Sequence, residues 1–322
     1  VPPARRARCR SAGRPLRRDG VSAGRPPGLG DYGLLVALAA IWGASFLLIK
    51  IAVADIPPIA IAAGRTAIAA AVLLAVTWAT GRHLPKAPKV WALILAVAVI
   101  GNALPFSLIA WGEETVDSGL AAIVMGINPL VTLALAHLFT ADEKANPRKL
   151  VGIALGLAGV VVLIGPEKLL LLGRETLSYL AFAGAASCYA TASLINKKLS
   201  GESFRAISAG VMLVSAAILI PASLALEAPW RLAPGWEATG ALVALGLFPT
   251  ALANLMLLAI IRRQGASFFS QINYLVPLFG LGYGVLLLAE EPPVEAFAAL
   301  ALILAGIGFA RGAKARPPAE RA

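Results

Sequence analysis

The sequence predicts an all-α polytopic membrane protein, with ten transmembrane helices arranged as two inverted five-helix repeats. Three observations carry this expectation: the apolar content, the alternation of positive charge between loops, and a self-similarity at a nearly constant offset. Of 322 residues, 59% are hydrophobic and 14% charged, where an ordinary soluble chain carries about a quarter charged. A mean hydropathy of +0.80 is more apolar surface than one aqueous core takes up. The 28 Lys and Arg outnumber the 17 Asp and Glu, yet they stand in short clusters between apolar runs. Nucleic acid, which needs one basic patch, is therefore not an expected partner.

The elements follow in order. Residues 1–30 hold eight arginines among Gly, Pro and Ala and are expected to be a disordered basic tail. This tail runs into an apolar span with no cleavage-type site between, so the first span is expected to be a retained helix. A bilayer needs about 20 apolar residues per helix. On that window, spans fall at 33–54 and 58–80, parted at Pro57-Pro58, then 89–111 after Pro85 and Pro88, and 117–139. The fifth, 149–165, is entered at Asn146-Pro147 and left at Gly165-Pro166. Spans six to eight are 176–196, 206–227 and 236–260, with Pro229 in the break between the last two. The ninth and tenth are 265–289 and 293–310, separated by Pro292-Pro293. Such breakers mark helix ends. Residues 312–322 form a C-terminal tail.

Charge tests the count, because Lys and Arg collect on the cytoplasmic side of alternate loops. The tail, the even loops and the C-terminus hold 23 of the 28, and the odd loops only Lys168, Arg174 and Arg231. Both termini are expected in the cytoplasm. The odd loops are acidic instead, with Asp55, Glu113, Glu114, Asp117, Glu227, Glu237, Glu290, Glu291 and Glu295.

The two halves, 31–166 and 167–311, match each other. Trp42-Gly43-Ala44 and Lys50 stand opposite Tyr189-Ala190-Thr191 and Lys197, Pro105 opposite Pro249, Pro129 opposite Pro277, and Asp142-Glu143 opposite Glu290-Glu291. Five spans is an odd number, so the second half enters the membrane from the other side. An inverted repeat lets a site between the halves face either side in turn.

Ile41-Trp42-Gly43-Ala44-Ser45-Phe46 in the first span, Arg65 in the second, Pro129 in the fourth and Asp142-Glu143 before a Gly-rich fifth span together resemble the ten-helix drug/metabolite transporter superfamily. The likeness is to its EamA-like exporters and covers about residues 33–310. The resemblance implies a secondary transporter that exports amino acids or similar small metabolites across the bacterial inner membrane through a central cavity. A non-transporting membrane subunit or sensor is the alternative.

Polar groups at membrane depth are candidate site groups, because each is costly there unless it pairs or faces a cavity. Trp42, Asn102, Asn128, Tyr189, Thr250 and Asn254 fall near span centres, with Gln271, Asn273 and Tyr274 nearer the cytoplasmic side of the ninth span. Thr250 and Asn254 share a helical face, as do Gln271 and Tyr274. Amides suit the polar head of a zwitterion, and Trp42, Trp111, Tyr189 and Tyr274 offer apolar walls. Interhelical hydrogen bonding is the competing use for the amides and hydroxyls. Lys50 and Arg65 are the cations inside spans. They either hold an anionic group or gate the vestibule, or they snorkel to headgroups, with Asp55 a possible partner for Arg65.

No acidic residue is assigned to a span centre, which argues against proton coupling through a central carboxylate; His137 is the titratable group within a span that remains. Pro105, Pro129, Pro249 and Pro277 are expected to kink their helices. The rows Gly152, Gly156, Gly159 and Gly280, Gly284 read as close-packing surfaces inside the chain. The chain has no nucleophile elbow, His-Glu-x-x-His or phosphate loop. Its two cysteines, Cys9 and Cys188, make no metal spacing. The expectation is therefore no enzyme, cofactor or metal, with a small-molecule substrate and membrane lipid as partners and a monomeric or homodimeric state.

Overall fold

Backbone groups inside a bilayer have to be satisfied within their own segment, so each apolar run of this chain is a helix. The computed structural model describes residues 26–139, 146–171 and 173–311. Residues 1–25 of the expected tail, Asp142-Glu143 and residues 312–322 lie outside the described residues; Leu29 and Gly30, expected in the disordered tail, instead open the first helix. Within them, nine helices are long and apolar enough to cross a membrane. They are α1 (Leu29–Val53), α2 (Pro58–Ala79), α3 (Pro88–Glu113), α4 (Ser118–Phe139), α5 (Pro147–Ile164), α6 (Arg174–Lys197), α7 (Phe204–Leu226), α8 (Trp236–Phe269) and α10 (Val294–Arg311). The tenth, α9 (Ile272–Leu288), is apolar but shorter.

The boundary between the eighth and ninth spans is corrected. Helix α8 runs on through Arg262 and Arg263 to Phe269, broken only at Gly265, whose φ of 80° and ψ of 174° interrupt the helix. A side chain is strained there. Ser270 and Gln271 then form a tight turn into α9, so the expected ninth span from 265 starts late.

The packing shows the inverted repeat directly. Helices α2 and α7, and α5 and α10, pack against their own counterparts, while the first helix of each half packs against the third and fourth of the other: α1 on α8 and α9, α6 on α3 and α4. Glycine allows the closest of these approaches. A Cβ on Gly152 would stand 2.5 Å from the Gly306 carbonyl oxygen of α10, and one on Gly43 would stand 2.6 Å from Phe279 Cβ of α9. The glycine rows thus serve packing within the chain.

Helices α3 and α8 each carry a π-helical turn at matching places, Val99–Ala103 and Gly246–Leu252. Pro105 lies just past the first and Pro249 within the second. A proline cannot donate to the turn before it, and a widened turn absorbs the missing bond. Helix α4 is interrupted at Gly126-Ile127, just ahead of Pro129.

Candidate functional site

Arg65 projects from α2 toward the π turn of α8 and the stretch of α3 just past its own π turn. It is 5% exposed. Its Nε and Nη2 both donate to Thr250 Oγ1 at 3.2 Å, and Thr250 donates its own proton to the Leu245 carbonyl at 2.7 Å. That bond turns the oxygen lone pairs toward the guanidinium. The guanidinium carbon lies 3.8 Å from the centre of the Phe106 ring, a cation–π contact. Tyr189 meets Phe106 edge-on at 6.4 Å. Next to Thr250, the Pro249 carbonyl accepts from Trp42 Nε1 at 3.2 Å, and Trp42 meets Phe269 edge-on at 5.9 Å. Five helices from both halves therefore converge on one buried cation.

The snorkelling reading of Arg65 and its pairing with Asp55 are corrected. Asp55 Oδ2 instead accepts from Gly235 N at 2.8 Å. Among the described residues, no carboxylate lies within ion-pair distance of Arg65. Thr250 and Phe106 lie within reach of a side chain directed inward, and they keep it from the headgroups.

The remaining expected site residues divide. Asn254 lies one turn beyond Thr250, where its Nδ2 donates to the Thr250 carbonyl at 2.8 Å and its Oδ1 accepts from Ser208 at 3.4 Å. Asn102 is buried between α3 and α7, donating to Ser215 Oγ at 3.3 Å; its amide serves the helix interface. Asn128 is half-buried at the α4 break, where Thr132 Oγ1 donates to its carbonyl. Gln271 is half-buried in the turn before α9, and Asn273 folds back to the Ser270 carbonyl at 2.9 Å. Tyr274 lies under the Arg311 guanidinium at 4.5 Å, apart from the Arg65 cluster. His137 is half-buried in the last turn of α4. Trp111 lines a separate pocket with Glu114, Glu227 and Ile59.

Lys50 does not snorkel either. Its Nζ donates to the Glu113 and Val116 carbonyls at 2.8 and 2.9 Å, capping the end of α3. Glu113, read from sequence as a loop residue, is the last residue of α3 and fully buried, and neither carboxyl oxygen has a hydrogen-bond partner. Sequence reasoning also missed Phe106. Its signal was available: Phe106, Ala110 and Glu113 stand at i, i+4 and i+7 of one helical face.

A protein-family model described as the EamA-like transporter family matches residues 31–165 and again 176–311. The chain belongs to the EamA-like transporter family. It is a multi-pass membrane protein and a transporter. Similar proteins include a transporter of Archaeoglobus fulgidus, 28% identical over 85% of this chain and 96% of that one. The inner membrane transporter YedA of Escherichia coli K12 is 29% identical over 79% and 82%. A probable amino-acid metabolite efflux pump of the same strain is 28% identical over 86% and 93%. A crystal structure 21% identical to this chain covers 87% of it and 97% of its own chain, with a TM-score of 0.64, and so shares the fold.

In this EamA-like transporter the two ends of the bundle differ. One end carries the acidic loops, the other the basic ones. At the acidic end, carboxylates from one half cap helix N-termini of the other. Glu290 accepts from Ser118 N and Oγ at 2.8 and 2.7 Å and from Gly119 N at 2.9 Å, holding the start of α4. Glu227 holds the start of α2 through Ile59 N at 2.9 Å and Ala60 N at 2.6 Å, and Asp55 holds the start of α8. Exposed N–H groups and the helix dipole make each a natural carboxylate site. Glu290 reaches α4 because Ala289 turns the chain back at φ 53°. Beside this clasp, burial and the charge of Glu290 push the Asp117 carboxyl up, with Lys50 opposing.

Proposed function

We propose that this transporter exports a small carboxylate-bearing metabolite, an amino acid or a close relative, across the inner membrane by alternating access, with both termini in the cytoplasm. The observation that carries the reading is Arg65. A buried guanidinium without a carboxylate partner costs several kcal/mol, and a substrate carboxylate meeting it between the halves recovers that cost. Trp42 and Tyr189 flank the site as apolar walls for the rest of the molecule. The basic end is cytoplasmic on the charge rule, so the clasped acidic end faces out and the described conformation is closed to the outside. Substrate then reaches Arg65 from the cytoplasm and leaves when the clasp opens. The efflux pump among the similar proteins supports the substrate class and direction.

Efflux of labelled amino acids from vesicles loaded with a mixture, with the protein reconstituted in them, tests this. Losing one partner of a buried charged contact costs roughly 2–5 kcal/mol, so Arg65→Ala is expected to slow efflux at least about thirtyfold. Arg65→Lys keeps the charge but not the fork geometry and recovers part of it. Unchanged efflux of amino acids in Arg65→Ala, with efflux of the matching amines equally fast, would remove the carboxylate from the reading.

A further inference from the structure

We propose that Glu113 is a proton-binding site that governs the acidic end of the transporter: the carboxyl carries a proton while that end is closed and releases it when that end opens. The link to transport rests on the alternating-access reading; the site itself rests on the geometry of Glu113.

Glu113 is the one fully buried carboxylate whose two oxygens both lack a hydrogen-bond partner among the described residues. A carboxylate removed from water and from donors is costly, and such a group holds a proton instead. The charged groups that act on it come from two other helices and from the segment after α9. They are Lys50 of α1, Arg65 of α2 and Glu290 beyond α9; Asp117 stands in the loop that follows α3, and α6, which packs against α3, carries Tyr179 and Tyr189. Lys50, the nearest candidate counter-ion, spends its hydrogen bonds on the Glu113 and Val116 carbonyls. Arg65 is held by Thr250 and Phe106, about 10 Å down the same helical face at 1.5 Å per residue.

Position ties this proton to the clasp. Lys50, Asp117, Glu290 and Glu291 line a pocket of about 520 Å³ at the acidic end, which gives water access to the neighbourhood of Glu113. When the carboxyl loses its proton to that water, its new charge acts in two ways. It draws Lys50 off the carbonyls that end α3, and it repels Glu290, which holds the start of α4. Both loosen the connection between α3 and α4. When a proton from the same water returns, the O–H bond re-forms and both restraints are restored.

Two measurements test this. In the first, infrared spectra of the reconstituted protein labelled with carbon-13 at glutamate should show, at neutral pH, the shifted carbonyl band of a protonated glutamic acid. Glu113→Gln should lose that band and Asp117→Asn should keep it. Absence of the band in the unsubstituted protein, or its survival in Glu113→Gln, overturns the proposal. In the second, a Val116→Cys protein with Cys9 and Cys188 replaced by Ser is labelled from the acidic side with a membrane-impermeant maleimide. Opening linked to the loss of one proton makes the labelling rate rise by up to about tenfold per pH unit, after correction for the thiol's own ionisation on a free peptide. Glu113→Gln should label slowly with no pH dependence, and Glu113→Asp should keep the slope. A slope that persists in Glu113→Gln overturns the link to opening. Neither readout uses a transported substrate, so a failure of the amino-acid reading leaves both intact.

Discussion

The acidic and basic ends of the same helices are built differently, and α4 shows it within one element. From Ser118 to Val124 every residue is buried; from Val131 to Leu135 each is partly exposed, whichever way its side chain points. The first stretch is enclosed by α9 and fastened by Glu290. The second has lost its enclosure beyond the break at Gly126-Ile127. At the basic end, contacts between the halves include Gln264 Nε2 to Asp31 Oδ2 at 2.9 Å and Thr77 Oγ1 to the Arg205 carbonyl at 3.4 Å. The two kinds of fastening differ, because a helix N-terminus offers several donors to one carboxylate while each of these side-chain contacts offers one bond.

Substitutions can break this contrast, the strongest first. Glu290→Ala leaves two backbone donors and the Ser118 hydroxyl buried without their acceptor, a loss of about 2–4 kcal/mol at the clasp. Maleimide labelling of Val116→Cys from the acidic side is expected to rise by more than tenfold, and an unchanged rate would show that the clasp does not hold that end. Glu227→Ala removes the hold on α2 together with the bond that Ser223 Oγ donates to the same carboxylate at 3.3 Å. The loss is about 1–2 kcal/mol, read as a smaller rise in labelling of a cysteine at Ile59.

The basic end should respond in the opposite sense. Gln264→Ala deletes one partly buried hydrogen bond, worth about 1 kcal/mol. It should ease opening at the basic end and leave labelling at the acidic end unchanged or lower. Asp117 sharpens the comparison through pH. The ordered loop binds its proton more tightly than an unfolded chain does. Stability is therefore lost as pH rises from the ordinary carboxylate value through the raised one, and Asp117→Asn should flatten that part of a melting-temperature profile. The smallest effect is at Ala289, where a left-handed backbone costs a non-glycine residue roughly 1 kcal/mol. Ala289→Gly should raise the melting temperature by a few degrees at most, provided that the bond between Glu290 and Ser118 survives.

Much of the fold was legible because a bilayer leaves so few solutions. Apolar runs of span length, breakers between them and alternating charge fixed ten helices, and the odd number per half fixed the inversion. The candidate site was legible in part. Trp42, Tyr189 and Thr250 were found from their depth, and they meet at the Arg65 cluster. Asn102 and Tyr274, equally polar, went to neighbouring helices, because depth says nothing about which way a side chain faces.

The sequence by itself determined which segments lie in the membrane, since hydropathy is local and the solvent imposes the same demand on every residue. Only the tertiary structure decided what the charges do. Arg65 and Glu113 sit near helix ends by count, where water is the ordinary expectation. Packing of α1, α3, α6 and α8 around them takes that water away, leaving one cation without a carboxylate partner and one carboxyl without a donor. Burial depends on neighbours far away in the chain, and no local pattern carries it.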